Sequence, residues 1–249
     1  MEKTKRKLDM YFTMRAAVPE FFSNRDPTRK EFKEVMDIFH FPPLPGLPAN
    51  GRRVIVMRTL DPKGELPSVT EAMKAVLMIG DIRLKEELTG VAGDVYIFDA
   101  SIATPSHFAT HFSKFTPALI KKFLICVQEG YPVKLKEVHV INTTPMVDTI
   151  INFVKPFLKE KIKNRIHVHP DLESLHKQIP KEILPTEYGG DAGPIAAINA
   201  KWLEKMISYK DWFLEQEKLK ADESKRPGKP KTYGDLFGME GSFKQLTID

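Results

Sequence analysis

The sequence predicts an α/β fold with a mainly parallel sheet, and three observations carry that prediction. Four short runs rich in β-branched residues are apolar almost throughout, the pattern of strands buried on both faces. Long segments of helical period separate them, as crossovers between parallel strands require. Of the 249 residues, 42% are hydrophobic, enough for a sizeable core in one large domain with a small appendage.

The elements follow in order. An N-terminal helical piece ends in the Pro/Gly loop "FPPLPGLPANG" (41–51). "RRVIVMRT" (52–59) is the first strand, and a helical pattern covers 67–89. "DVYIFDAS" (94–101) is the second strand, followed by helix over 105–129. "EVHVIN" (137–142) is the third, followed by helix over 144–164. "RIHVHP" (165–170) is a fourth, shorter strand. The right-handed crossover rule then limits the topology. After "ILPTEYGGDAGP" (183–194) one more amphipathic helix spans about 195–220. From "ESKRPGKPK" onward the chain reads as a mobile tail with a small apolar patch at Leu236, Phe237 and Phe243.

Charge and composition exclude several classes. Lys+Arg number 38 against Asp+Glu 33, a net charge of +5 placed unevenly. Residues 155–165 hold Lys155, Lys159, Lys161, Lys163 and Arg165 against Glu160. Residues 218–231 hold six basic residues against Asp222 and Glu223. A solvated face is the plain reading of such runs. No zinc-finger spacing and no aromatic–basic stacking motif supports nucleic acid as a partner. Cys126 is the only cysteine, so no internal disulfide can form and a reducing, cytoplasmic setting is expected. "MEKTKRKLDMYF" lacks the apolar core of a signal peptide. No apolar run approaches the roughly 20 residues of a spanning helix, so membrane contact is expected to be transient and peripheral.

No enzyme is expected. G-x-S-x-G, G-x-x-x-x-G-K-[ST] and a post-strand G-x-G-x-x-G are all absent from the sequence. Gly90 and Gly93 precede a strand, the wrong side for a dinucleotide turn. His167 and His169 share a strand face, but the sequence suggests no third ligand, so neither metal nor cofactor is expected. Cys126, in "FLICVQ", reads as a buried structural thiol.

The segment "TTPMVDTIINFVKPFLKEKIKNRI" (143–166) is apolar in its first half and basic in its second. Met146, Ile150, Phe153 and Phe157 recur at helical spacing, as do Val147, Ile151, Val154 and Leu158. A helix in an ordinary core carries the same stripe, so period alone does not mark a binding site. Pro156 removes a backbone donor and predicts a kink. Beyond it, Lys161 and Arg165 are spaced to share a helix face, and Lys134 and Lys136 to share a strand face.

Several stretches carry a resemblance: "GDVYIFD", "FTPALIKKFLICVQEGYPVKLKEVHVIN", "VKPFLKEKIKNRIHVH" and "ILPTEYGG". Together, in this order, they resemble the CRAL-TRIO lipid-binding domain, most of all its tocopherol-transfer and retinal-binding branch. The resemblance runs from about residue 50 to about 215. "EKTKRKLDMYFTMRAAVPEFFSNRDP" resembles the end of the helical module that precedes that domain, most of it missing here. The implied division is 1–45 helical remnant, 46–220 lipid-binding domain and 221–249 tail. With little of the module present, Leu8, Tyr11 and Phe12 are expected to lack cover.

The resemblance implies a sheet floor, an apolar pocket and a mobile lid helix formed by the kinked segment. It implies a pocket lined by Met73, Phe98, Phe123, Cys126, Val133 and Val138 from the body. Ile150, Phe153, Val154 and Phe157 would line it from the lid. Val76 and Gly80 stand where tocopherol-transfer relatives place small hydroxyl residues. "ASIATPSHFATHFSKFTP" (100–117) is also longer than its counterpart, so the pocket is more apolar or differently shaped. A phosphatidylinositol bisphosphate site is implied at Lys134, Lys136, Lys161 and Arg165. The resulting expectation is a monomeric carrier of one hydrophobic molecule, such as a tocopherol, retinoid or carotenoid, visiting phosphoinositide-containing membranes. Its rivals are a phosphatidylinositol or phospholipid-exchange or signalling module of the same fold and an α/β hydrolase.

Overall fold

The computed structural model describes residues 1–60, 68–87, 92–105 and 114–238. Helices α1 (Glu2–Ala17), α2 (Pro19–Phe22) and α3 (Lys30–Ile38) precede a sheet of five strands. These are β1 (Phe39–His40), β2 (Arg53–Thr59), β3 (Asp94–Asp99), β4 (Leu135–Ile141) and β5 (Ile166–Val168). β1 runs antiparallel to β2, and β2 to β5 are mutually parallel.

Strand order equals sequence order. Every parallel crossover therefore steps the same way, and right-handed crossovers must all pass over one face. On that face lie α4 (Val69–Glu86) and α5 (Pro117–Ile125), the latter closed by a π-turn, Cys126–Gly130. The third crossover holds α6 (Val147–Val154), a 3₁₀ turn (Lys155–Phe157) and α7 (Glu160–Lys163). The opposite face is covered by α8 (Leu172–His176) and α9 (Ile195–Ser208).

Strand alternation sorts two cores. Ile55, Met57 and Tyr96 face the crossover helices, with Met73, Met78 and Cys126. Val54, Val56, Val95, Ile97 and Ile141 face Leu175, Ile195 and Ile198. Burial on both faces is the reason the strands read as continuous apolar runs.

Several expectations change. The segment 144–164 is three short helical pieces, because Pro156 lies within a 3₁₀ turn that ends α6. Helix α7 stops at Lys163, so Lys161 and Arg165 share no helix face. The helix expected over 195–220 breaks at Tyr209 into α9 and α10 (Lys210–Gln216). Phe39–His40 form an edge strand and Leu44 N donates to Val54 O at 2.8 Å, so the sheet begins before residue 46. Two residues carry no period, which is why β1 escapes a sequence pattern.

Another concerns the tail, which is tied down through residue 238. Ala221 N donates to Phe12 O at 3.0 Å, and Arg226 pairs with Asp9 at 2.7 Å. Helix α11 (Tyr233–Phe237) buries Phe237 in the crossover-side core. Tyr11 likewise gains cover from Tyr131, at 5.5 Å between ring centroids, while Leu8 stays exposed. Phe243, residues 106–113 of the long second crossover, and Gly90 lie outside the described residues.

Candidate functional site

The crossover face carries an apolar lining that is incompletely covered. Met73 and Cys126 are buried, while Val76, Phe123, Phe153 and Phe157 pack on the same core and keep accessible surface. The Phe153 and Phe157 rings meet edge to face at 6.2 Å, and Phe123 meets Phe21 the same way at 6.0 Å. Ile150 and Val154 are half-buried on α6. From the floor, Phe98 stacks on Tyr96 at 6.3 Å, and Val138 pairs with Tyr96 across β3 and β4.

Tyr96, two residues before Phe98 on the same strand face, and Phe41 from the loop before β2 join this lining. Phe39, Phe41, Tyr96 and Phe98 form a continuous stack with centroid spacings of 6.0, 5.9 and 6.3 Å. Burial raises the Tyr96 hydroxyl well above its ordinary range, helped by the nearby Asp94 carboxylate. Tyr96 as a whole is half-buried.

Val133 packs on the same core, and with Gly80 it also lines a cleft of about 170 Å³ beside Arg83, Glu87, Asp94 and Lys134. Within that cleft Arg83 grips Asp94 through two hydrogen bonds of 2.8 Å. A Cβ at Gly80 would lie 3.1 Å from the Tyr131 ring, so close packing accounts for the glycine. Cys126 has its thiol pushed far up by burial, the opposite of an activated nucleophile.

Lys134 is exposed just before β4, and Lys136 is half-buried within it. Arg165 reaches them by backbone contacts: its Nη1 donates to Leu135 O, and its own carbonyl accepts from Val138 N at 2.8 Å. Lys161 is exposed on α7, while Lys163 beside it is occupied by Glu160 at 2.9 Å. Helix α1 adds charges that sequence spacing does not reveal. Partial burial lowers the Lys7 pKa, and Lys159, Lys161 and Arg6 lower it further. Arg6 and Lys159 both pair with Glu129.

On the other face, His139 and His169 are bonded to each other at 2.8 Å. Among the described residues no group of three or more His, Cys, Asp or Glu is arranged to hold a metal ion. No helix among them is long and apolar enough to cross a membrane.

Comparison with known proteins adds the following. The family model described as CRAL/TRIO domain matches residues 43–190. A second, described as Pinta-like, UBA domain, matches residues 1–32. "Alpha-tocopherol transfer protein-like" of Homo sapiens is 34% identical over 213 residues, covering 83% of this chain and 58% of its own length. "Clavesin-1" of Rattus norvegicus is 28% identical over 197 residues, covering 76% of this chain and 52% of its own. The chain thus spans little more than half the length of these relatives. A solved structure, "Crystal structure of Sfh5", aligns with a TM-score of 0.48 and 16% identity over 77% of this chain and 70% of that one.

Proposed function

The chain belongs to the CRAL/TRIO domain family, and from that premise we propose that it is a carrier, not an enzyme. It takes up one hydrophobic small molecule (a tocopherol, retinoid, carotenoid or similar terpenoid) between the sheet and the segment 147–163. It exchanges that molecule at phosphoinositide-containing membranes when the segment opens. The name of a transfer protein among its relatives supports the reading. The observation that carries it is the incompletely covered lining of Val76, Phe98, Phe123, Phe153 and Phe157 on the crossover face.

The energetics agree. Opening the lid in water would expose apolar surface at about 25 cal/mol per Å². Laying the same surface into lipid removes that penalty, so opening is coupled to a membrane. Lys134, Lys136, Lys161 and Arg165 would each contribute about 1 kcal/mol near an anionic leaflet. Four such contacts give about a thousandfold in partitioning, enough for a visit and too little for permanent attachment. In this reading the carrier is a cytoplasmic monomer between visits.

The test is mass spectrometry of lipid extracted from the purified protein, followed by transfer of that lipid between vesicles. One neutral apolar species in stoichiometric amount is the expected result. A bound phospholipid would favour an exchange module of the same fold, and no bound lipid with no transfer would refute the carrier.

A further inference from the structure

Gln128 stands where three elements meet. It belongs to the π-turn Cys126–Gly130, which carries one residue more per turn than an α-helix would. Its Nε2 donates to Phe157 O at 3.1 Å, and its Oε1 accepts from Lys159 N at 3.1 Å. Leu158 and Lys159 are extended, with ψ of 141° and 144°. That conformation aims the carbonyl of residue 157 and the amide of residue 159 to the same side. The side-chain amide therefore pairs with the lid segment as one more peptide unit would, at the break between the 3₁₀ turn and α7.

The same turn is held from its other side. Lys7 Nζ on α1 donates to Gln128 O at 2.5 Å and to Tyr131 O at 3.0 Å. Glu129, the next residue, pairs with Arg6 at 3.5 Å and with Lys159. Burial alone would raise the Glu129 carboxyl, and the surrounding cations, led by Lys159, outweigh it and hold it ionised.

We propose that Gln128 and Glu129 form the latch that keeps the lid segment shut, with Gln128 as a positioning residue for lid opening. The proposal rests on the carrier reading above. Neither residue needs to touch the ligand. Glu129 is the internal anion for Arg6 and Lys159, and a membrane phosphate would compete with it for the same cations. With Lys159 drawn to that phosphate, two neutral hydrogen bonds from Gln128 remain. Each contributes modestly in water-accessible surroundings, so the break at residues 157–159 is where opening begins.

Hydrogen exchange on the full chain, free of lipid, tests the latch. Gln128→Met keeps length and removes both bonds; Glu129→Gln keeps shape and removes the charge. Gln178→Met, an exposed change beyond α8, is the control. Amides of 150–154 and 160–163 should exchange about tenfold faster in Gln128→Met and several-fold faster in Glu129→Gln. Those of β2 and β3 should not change, and the control should match wild type. Unchanged exchange in 150–163, or an equal rise in β2 and β3, overturns the latch. A second arm adds vesicles with and without a bisphosphorylated phosphoinositide. They should speed exchange in wild type and add little to Glu129→Gln. Vesicles that leave wild type unmoved would sink the membrane step of the carrier reading, while the lipid-free arm still decides the latch.

Discussion

Arg25 meets Asp81 at 2.6 Å, and neither side chain is exposed. The same carboxylate takes Arg15 at 2.5 Å and the hydroxyls of Tyr11 and Tyr131 at 2.8 Å each. Two guanidiniums on one carboxylate leave a buried excess of one positive charge. Aromatic faces soften it: Arg15 lies 4.4 Å from the Tyr11 centroid and Arg25 4.9 Å from that of Phe213. Nε and Nη1 of both arginines have no hydrogen-bond partner among the described residues. The cluster joins α1, the stretch after α2, and α4.

Removing the shared anion and removing one cation should therefore differ sharply. Asp81→Asn strands two buried guanidiniums and should cost about 3–5 kcal/mol. Arg15→Met leaves a balanced Arg25–Asp81 pair and should cost clearly less. Urea unfolding of the two variants decides it, and equal losses would refute the shared-anion account. Burial alone would raise the Asp81 carboxyl, and Arg25 and Arg15 outweigh it, so its pKa lies below the ordinary value. Its stabilising contribution is thus full above the ordinary carboxylate range and is lost as pH falls below it.

This cluster shows what a sequence conceals. Arg15 and Asp81 sit in two separate helices and Arg25 in the connection after α2, and no period relates them. The four longer strands were legible because burial on two faces writes itself as continuous apolar runs. Strand period placed Lys136 within β4, while Lys134 stands just before that strand. Arg165 shares no helix face with Lys161 as its spacing suggests, and bonds instead to the carbonyl of Leu135. Arg6 and Lys7 were hidden because only the fold carries α1 to the π-turn. The tail misled because its Lys, Pro and Gly content reads as disorder, whereas its hold comes from Phe237 and from ion pairs to Asp9.

A second prediction concerns acid. Burial pushes the His139 pKa down to about 4, with His169 and His167 nearby opposing a charge and Glu137 favouring one. Burial also lowers His169, whose Nδ1 faces Ser174 Oγ at 2.9 Å. Arg52, paired with Glu137, completes the surroundings. Both rings are held neutral when folded and take up protons more readily when unfolded. Their contribution is therefore full above the ordinary histidine pKa of about 6.5 and is lost progressively as pH falls toward 4. The melting temperature should drop over that window, and His139→Gln should flatten the drop. Parallel curves for the two proteins would exclude His139 as its source.

A third prediction separates lining from core. Phe157 keeps accessible surface and touches Phe153 at 6.2 Å between centroids. Phe157→Asp places a charge on the proposed lining and should weaken binding of an apolar fluorescent tocopherol probe at least about tenfold. The ligand-free melting temperature should change by only a few degrees. A large fall in stability with affinity unaltered among the molecules still folded would show that Phe157 is ordinary core.

The last prediction concerns the basic patch. Arg165 bonds to the carbonyl of Leu135, whose chain neighbours are Lys134 and Lys136, and Lys161 stands near Lys7. A bisphosphate head group suits this mixture, because Arg165 offers a planar fork and the lysines offer point charges. Alanine at each of the four should weaken binding to bisphosphate-containing vesicles about fivefold, the effect of about 1 kcal/mol. Binding of the apolar probe in solution should be nearly unchanged. Arg165→Ala also removes the bond to Leu135 O, so its melting curve is read alongside its affinity. Lys163 serves as the control, because Glu160 already neutralises it at 2.9 Å. Lys163→Ala should therefore matter clearly less than Lys161→Ala, although only one residue separates them. Raised salt should weaken binding through screening. Equal effects at Lys161 and Lys163, or equal binding to plain anionic vesicles at matched charge, would reduce the site to a diffuse cationic surface.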